Sequence, residues 1–133
     1  MFTLPKAVRA AVVTVAALSV VALAGPAQAS TSAGYVAYGD TGTAVKCVQT
    51  AVNASNVQAG IAVDGIWGAR TETAVKTFQL INIWGTDPVH GDPIFLTADG
   101  VVGPYTGDVM LAYIAEKAPG WKSTCSAALP TTH

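Results

Sequence analysis

Apolar residues recur at helical spacing in two stretches of the first half of the chain. The first stretch predicts a helix from Thr43 to about Ala54. Its apolar face consists of Val45, Val48, Ala51 and Val52. The second stretch predicts a helix from about Ala69 to Leu80. One face of that helix carries Thr71, Ala74, Val75 and Phe78. Both helices are amphipathic, so each needs a partner surface to cover its apolar stripe.

A third helix is predicted after Gly103. Pro104 suits the first turn of a helix, where its missing N–H costs nothing, and Pro119-Gly120 ends the pattern. Gly107 weakens this helix by about 1 kcal/mol relative to Ala. One face carries Thr106, Val109, Met110, Tyr113 and Ile114. The pattern therefore predicts a small all-α domain of three helices with long loops, over residues 39–118.

The other segments lack this periodicity. Residues 30–38 are predicted to be a flexible leader, because its first five residues, Ser30 to Gly34, are small and mostly polar. The segment Asn82 to Ala98 contains Asp87-Pro88 and Asp92-Pro93, and we predict a long irregular surface loop there, with one apolar anchor. Residues 119–133 are predicted to be a loose tail unless a disulfide bond tethers them.

The N-terminal segment has the features of a secretory signal peptide. Lys6 and Arg9 precede an uncharged apolar run from Ala10 to Ala24, and Ala27-Gln28-Ala29 fits the small-x-small cleavage pattern. The run is too short for a membrane anchor. We therefore expect cleavage after residue 29, secretion, and no membrane attachment of the mature chain, residues 30–133.

Size and charge narrow the possible functions. The mature chain is long enough for one small domain, which we expect to be monomeric. The full chain has seven basic and eight acidic side chains; removal of Lys6 and Arg9 leaves five against eight, a net charge of −3. No basic stripe is present, which argues against nucleic acid and anionic membrane surfaces as partners.

Cys47 and Cys125 are both in the mature chain. Two cysteines in an exported domain most simply form one disulfide bond, which would stabilise the fold by roughly 4 kcal/mol. The alternative is a free reactive thiol. A nucleophilic thiol needs a nearby base, and only His90 and His133 are available.

The same short motif occurs twice. Asp64-Gly65-Ile66-Trp67-Gly68-Ala69-Arg70-Thr71 and Asp99-Gly100-Val101-Val102-Gly103-Pro104-Tyr105-Thr106 share Asp, Gly, Gly and Thr in register. Each copy predicts a tight turn that leads into a helix. The Asp side chains can accept hydrogen bonds from nearby backbone N–H groups and so hold the turn closed.

These turns, with the residues around them, resemble the bacterial peptidoglycan-binding domain of the first type. The resemblance also includes Gly39, Gly42, Val45, Gln49, Ala74, Val75, Phe78 and Gln79. It covers about Gly39 to Ile114. The chain departs from the family pattern in its long segment between Gln79 and Asp99 and in its two cysteines. The resemblance implies a three-helix fold and non-catalytic attachment to peptidoglycan, through a shallow groove near the helix N-termini and the two turns.

The candidate ligand-binding residues follow from this resemblance. They are Asp64, Trp67, Arg70, Gln79 and Asp99, with Trp84 added from the long segment. Arg70 is the only Arg of the mature chain and could hold a stem-peptide carboxylate, although a solvated surface position is the simpler interpretation. Structural roles in the turns are favoured for Asp64 and Asp99. Among the tryptophans, burial is favoured for Trp67, and Trp84 is the better candidate for a ring on which a sugar could stack.

No group of residues predicts catalysis or metal binding. His90 and Asp92 lie in a Pro/Gly-rich segment and His133 is terminal, whereas a catalytic zinc needs three ligands on rigid elements. Glu72 and Glu116 are expected to be exposed helix residues rather than a glycosidase pair. We therefore expect a secreted, cell-wall-associated binding protein that needs no cofactor. A small wall hydrolase and an exported interaction or inhibitor protein remain alternatives.

Overall fold

The computed structural model describes residues 33–133. The predicted signal peptide, its cleavage position and the first residues of the predicted leader lie outside the described residues. The three predicted helices are present as α1, Thr43–Ala54, α2, Ala69–Ile81, and α3, Pro104–Lys117. Among the described residues, no helix is both long enough and apolar enough to span a membrane.

The core forms where α1 packs against α2 and α3. The apolar stripes predicted from the sequence supply most of its side chains. They include Val45, Val48, Ala51, Val52, Ala74, Val75, Phe78, Met110 and Ile114. Phe78 and Tyr113 meet edge to face, with ring centroids 5.9 Å apart. Burial of these stripes is the main stabilising contribution in a domain of this size.

The segment Asn82 to Ala98 corrects the prediction of an irregular loop, because it contains a β-hairpin. Strand β1, Ile83–Thr86, pairs antiparallel with β2, Pro93–Phe95. The prolines and glycines of the segment do not prevent the two strands from pairing. Pro93 stands at the first residue of an edge strand, where its missing N–H breaks no ladder bond. The fold is therefore mostly helical with a small two-stranded sheet, rather than purely α.

The turn of the hairpin is closed by Asp87. Its Oδ1 accepts hydrogen bonds from the backbone N–H groups of Val89 and His90, at 2.7 and 2.8 Å. These bonds are the largest cause of the lowered pKa of Asp87, because they favour the ionised carboxylate. At its base, the hairpin is held by buried Leu96, whose N–H donates to the carbonyl oxygen of Asn82 at 3.1 Å.

Both ends of the described chain join the core. Val36, inside the predicted leader, is buried and exchanges two backbone hydrogen bonds with Val102. The predicted tail forms a 3-10 turn, Pro119–Trp121, and a fourth helix, α4, Lys122–Ala128. The tail is therefore ordered, in part because a disulfide bond joins Cys125 of α4 to Cys47 of α1, as predicted. Leu129 and Pro130 follow α4 and are also buried.

Gly107 lets the C-terminal segment lie directly on α3. A Cβ at this position would overlap the carbonyl oxygen of Pro130. We expect Gly107→Ala to lower the free energy of unfolding by about 2 kcal/mol through overpacking, although alanine normally stabilises a helix interior by about 1 kcal/mol over glycine. Urea unfolding of the two proteins measures the difference. Ala112→Gly, at an exposed position of the same helix, calibrates the ordinary propensity term; stabilisation by Gly107→Ala would contradict the close contact.

Candidate ligand-binding site

The first D-G turn is held by the side-chain amide of Gln49, which projects from α1 into the core. Its Nε2 lies 3.0 Å from Asp64 Oδ1, 3.1 Å from the carbonyl oxygen of Ile66 and 3.1 Å from Thr71 Oγ1. Its Oε1 accepts the N–H of Gly65 at 2.9 Å. One buried amide thus provides hydrogen-bond partners for polar groups both in the turn and in the first residues of α2.

The second D-G turn repeats this arrangement with Gln79 of α2. Gln79 Nε2 lies 3.2 Å from Asp99 Oδ1, 2.9 Å from the carbonyl oxygen of Val101 and 3.3 Å from Thr106 Oγ1. Its Oε1 accepts the N–H of Gly100 at 2.9 Å. Each helix therefore fixes the turn that begins the next helix.

This pairing has a signal in the sequence beyond the D-G motif. The heptapeptide Thr43-Ala44-Val45-Lys46-Cys47-Val48-Gln49 recurs as Thr73-Ala74-Val75-Lys76-Thr77-Phe78-Gln79, with five of seven residues identical. The unit that is repeated is thus a helical segment that contains Gln, together with the D-G turn that follows the helix. Comparison of the helices as well as the turns would have assigned Gln49 and Gln79 the same structural role.

The two turns are joined by the segment that precedes α1. Val36 pairs with Val102 beside the second turn. Further along, the N–H of Gly42 donates to the carbonyl oxygen of Gly65 at 2.8 Å, and Thr41 forms a bridge with Ile66 in the first turn. The position of one turn is therefore fixed relative to the other.

Two of the predicted ligand residues face the interior. Gln79 has no exposed surface, and both ends of its amide are engaged in the second turn, so it has no polar atom to offer a ligand. Trp67 is 2% exposed, and its Nε1 donates to Glu72 Oε1 at 3.0 Å. Glu72 in turn forms an ion pair with Lys76 at 3.2 Å. We therefore remove Gln79 and Trp67 from the candidate binding surface.

In Asp64 and Asp99, one carboxylate oxygen is hydrogen-bonded within its turn and the other is not. In each, Oδ1 accepts the amide of the partner glutamine and the backbone N–H two residues on, from Ile66 or Val101. These hydrogen bonds lower the pKa of Asp64, the backbone N–H of Ile66 contributing most. Within the part of the chain that the structure describes, no Oδ2 of either residue has a hydrogen-bond partner.

The second turn borders a cleft lined by aromatic side chains, which the grooves beside the first turn lack. Four aromatic side chains from three segments surround this aromatic cleft, which has a volume of about 190 Å³. They are Tyr35, Trp84, Phe95 and Tyr105. Trp84 and Tyr105 stack with centroids 4.3 Å apart and planes at 24°. They are nevertheless 43% and 50% exposed, so much of each ring remains open to solvent.

The hairpin brings Trp84 to the aromatic cleft through an irregularity in its register. Ile83 pairs with Phe95 and Gly85 with Ile94, so Trp84 is an extra residue with no partner across the ladder. Such a bulge turns a side chain away from its regular direction. The prediction placed Trp84 in the long segment as an exposed ring, and the structure adds the bulge, the stacking partner and the proximity of Asp99.

Arg70 lies on a different part of the surface. It is exposed at the start of α2 and lines two shallow grooves of about 300 and 440 Å³ beside the first turn. It does not line the aromatic cleft. The six predicted residues therefore separate into three groups: Trp84 and Asp99 at the aromatic cleft, Asp64 and Arg70 at the first turn, and Trp67 and Gln79 inside the domain.

No group of three or more His, Cys, Asp or Glu side chains in residues 33–133 is close enough to hold a metal ion. His90 Nδ1 lies 3.4 Å from Asp87 Oδ1 in the exposed hairpin turn. Cys47 and Cys125 are joined to each other, so neither is a free thiol.

Comparison with known proteins does not assign the chain to a family. No protein-family model matches it, and no curated protein or solved structure matches it significantly.

Proposed function

We propose that this protein is exported and binds bacterial cell-wall peptidoglycan without cleaving it. The observation that carries the proposal is the aromatic cleft: partly exposed rings of Trp84 and Tyr105 beside a carboxylate on a rigid turn. Apolar ring faces left exposed on a small domain are typical of binding surfaces. The motif resemblance supports a wall polymer as the ligand, because the cleft borders one of the two D-G turns that carry it.

Export is supported by the disulfide bond, which persists in oxidising compartments. A non-catalytic role is the simpler interpretation of the cleft. Of the described residues that line it, Asp99 is the only acid, and no histidine or cysteine is among them. General acid–base cleavage of a glycosidic bond ordinarily uses two carboxyl groups on opposite sides of that bond.

Co-sedimentation with purified sacculi tests the proposal. We expect the mature protein to pellet with the insoluble wall, and Trp84→Ala to weaken this binding about tenfold, because a ring face and its stacking with Tyr105 are lost. Val89→Ala is the matched control, since Val89 is an exposed apolar residue of the same hairpin that does not line the cleft. The control should pellet like the unmodified protein.

Three outcomes would contradict this proposal or the site assigned to it. Protein that stays in the supernatant at low salt would favour an exported interaction or inhibitor protein. Release of soluble muropeptides during the incubation would favour a wall hydrolase. An equal loss of binding in Trp84→Ala and Val89→Ala would place the binding surface elsewhere on the domain.

A further inference from the structure

The aromatic cleft and Arg70 differ in the kind of ligand they suit. Arg70 and the first-turn grooves could hold an anion, whereas the described residues that line the aromatic cleft include no Lys or Arg. The charge they contribute is that of Asp99, in a mature chain of net charge −3. A carboxylate brought into this cleft would meet the like charge of Asp99 and no cation among the lining residues, and the nearby Lys76 is paired with Glu72. The cleft therefore disfavours the carboxylates of a stem peptide.

The shape of the cleft favours a flat, partly apolar ring. Trp84 and Tyr105 stack on each other, so a ligand ring would lie on the part of these two rings that stays exposed, and the partly exposed rings of Tyr35 and Phe95 also line the cleft. Its volume of about 190 Å³ is below the roughly 300–1,000 Å³ of drug-sized ligand sites, which suits one sugar ring of a longer chain. The axial C–H groups of a β-linked pyranose form an apolar face that packs on aromatic rings, while its polar substituents stay at the edge.

Asp99 supplies a fixed acceptor for those substituents. Its Oδ1 is held by Gln79 and the N–H of Val101, so the carboxylate is oriented before any ligand arrives. Its Oδ2, without a partner among the described residues, can accept a hydrogen bond from a sugar hydroxyl or acetamido N–H. Because the orientation is already fixed, little side-chain entropy is lost on binding.

We propose that the aromatic cleft binds one uncharged N-acetylated pyranose ring of the peptidoglycan glycan strand, and not the stem peptide. Trp84 and Tyr105 provide the stacking surface, and Asp99 Oδ2 accepts a hydrogen bond from the edge of the ring. This inference rests on the proposed function and specifies which component of the wall polymer occupies the site. Arg70 takes no part in it.

The internal repeat offers a matched pair of variants for the test. Asp99→Asn and Asp64→Asn each keep an oxygen that can accept from the partner glutamine and the turn N–H, so both should alter their turns to a similar small extent. Only Asp99 lines the aromatic cleft. Calorimetric titration with peptide-free glycan strands should show binding that Asp99→Asn weakens about tenfold, as for one charge-assisted hydrogen bond, and that Asp64→Asn leaves unchanged. Titration with isolated stem peptides should give no heat of binding.

Salt provides a second measurement. Binding of uncharged oligomers of N-acetylglucosamine, the ring of the strand that carries no lactyl carboxylate, should change little between about 0.05 and 0.5 M NaCl, whereas capture of a carboxylate by Arg70 would weaken over that range because salt screens the pair. Equal weakening by the two Asp→Asn variants, binding of stem peptides in place of strands, or strong salt dependence would each overturn the inference.

A competition experiment on intact sacculi distinguishes failure of this inference from failure of the proposed function. Soluble glycan strands or stem peptides are added, and the protein that they displace from the pellet is measured. If the protein pellets with sacculi and soluble glycan strands displace it, both stand. If it pellets and only stem peptides displace it, the wall-binding function holds and the assignment of the cleft to the glycan is wrong. If it does not pellet at all, the proposed function itself has failed.

Discussion

Gln79→Leu is expected to lower the free energy of unfolding by about 3 kcal/mol. The substitution nearly conserves volume but leaves the buried N–H of Gly100 without its acceptor, which alone costs about 1–3 kcal/mol. It also removes the donor shared by Asp99, Val101 and Thr106, so the second turn loses its connection to α2. Chemical denaturation followed by far-UV circular dichroism gives the change directly.

Two further variants show whether the amide itself is responsible. Gln49→Leu removes the equivalent amide from the first turn and should cost a similar amount. Thr77→Ala, on the exposed side of the same helix as Gln79, should change stability by less than about 1 kcal/mol, since its hydroxyl only bonds the carbonyl oxygen of Thr73. Stability within about 0.5 kcal/mol of the unmodified protein in Gln79→Leu would mean that the turn is held by its own backbone.

This role of glutamine explains why the two D-G turns are alike in sequence but not in surface. The turn, the glutamine and the following threonine form one hydrogen-bonded unit in each half, and Gly65 and Gly100 adopt φ values of 78° and 76° to complete it. The unit determines backbone shape. What a ligand could contact depends on the side chains around each unit, and these differ: Arg70 beside one, four aromatic rings beside the other.

The first three helices were predictable from sequence because the residues that determine each of them are close together in the chain. An apolar stripe of period 3.6, a Gly-ended turn and Pro104 at the start of α3 each act within a few residues of one another. The fourth helix was missed because α4 has seven residues, too few for a periodic stripe, and is held by Cys125 and the buried segment after it. Its order depends on contacts with distant parts of the chain.

The hairpin and the aromatic cleft were missed for a related reason. The Asp and Pro residues of the segment were correctly associated with turns, but a turn closed by Asp87 is compatible with either a loop or a paired ladder. Pairing is decided by whether the base of the hairpin can be anchored, here by Leu96 and Asn82 in the core. Tyr35, Trp84 and Tyr105 come from segments far apart in sequence, so only the folded chain brings them together.

The largest stability effect is expected from loss of the disulfide bond. Cys47 and Cys125 are 78 residues apart, and closing a loop of that length stabilises the folded state by about 4–5 kcal/mol when the restricted unfolded chain is the main contribution. That is a large share of the roughly 5–15 kcal/mol that stabilises a typical domain. We expect the double variant Cys47→Ala, Cys125→Ala to lose about 4 kcal/mol in urea unfolding, and the unmodified protein to lose a similar amount once reduced.

Comparing the double variant with the reduced unmodified protein distinguishes the effect of the covalent bond from the effect of the packing of the two sulfur atoms. Reductant should destabilise the unmodified protein and leave the double variant unchanged; equal stability of oxidised and fully reduced protein, with reduction verified by thiol labelling, would refute the prediction.

The loss of stability should be largest near the bond, in α4 and residues 129–133, and should appear there first in hydrogen exchange. Because none of these residues lines the aromatic cleft, reduced protein that is still folded should bind the wall polymer with unchanged affinity. That result would assign the tail a role in stability and leave the proposed binding surface to the hairpin and the second turn.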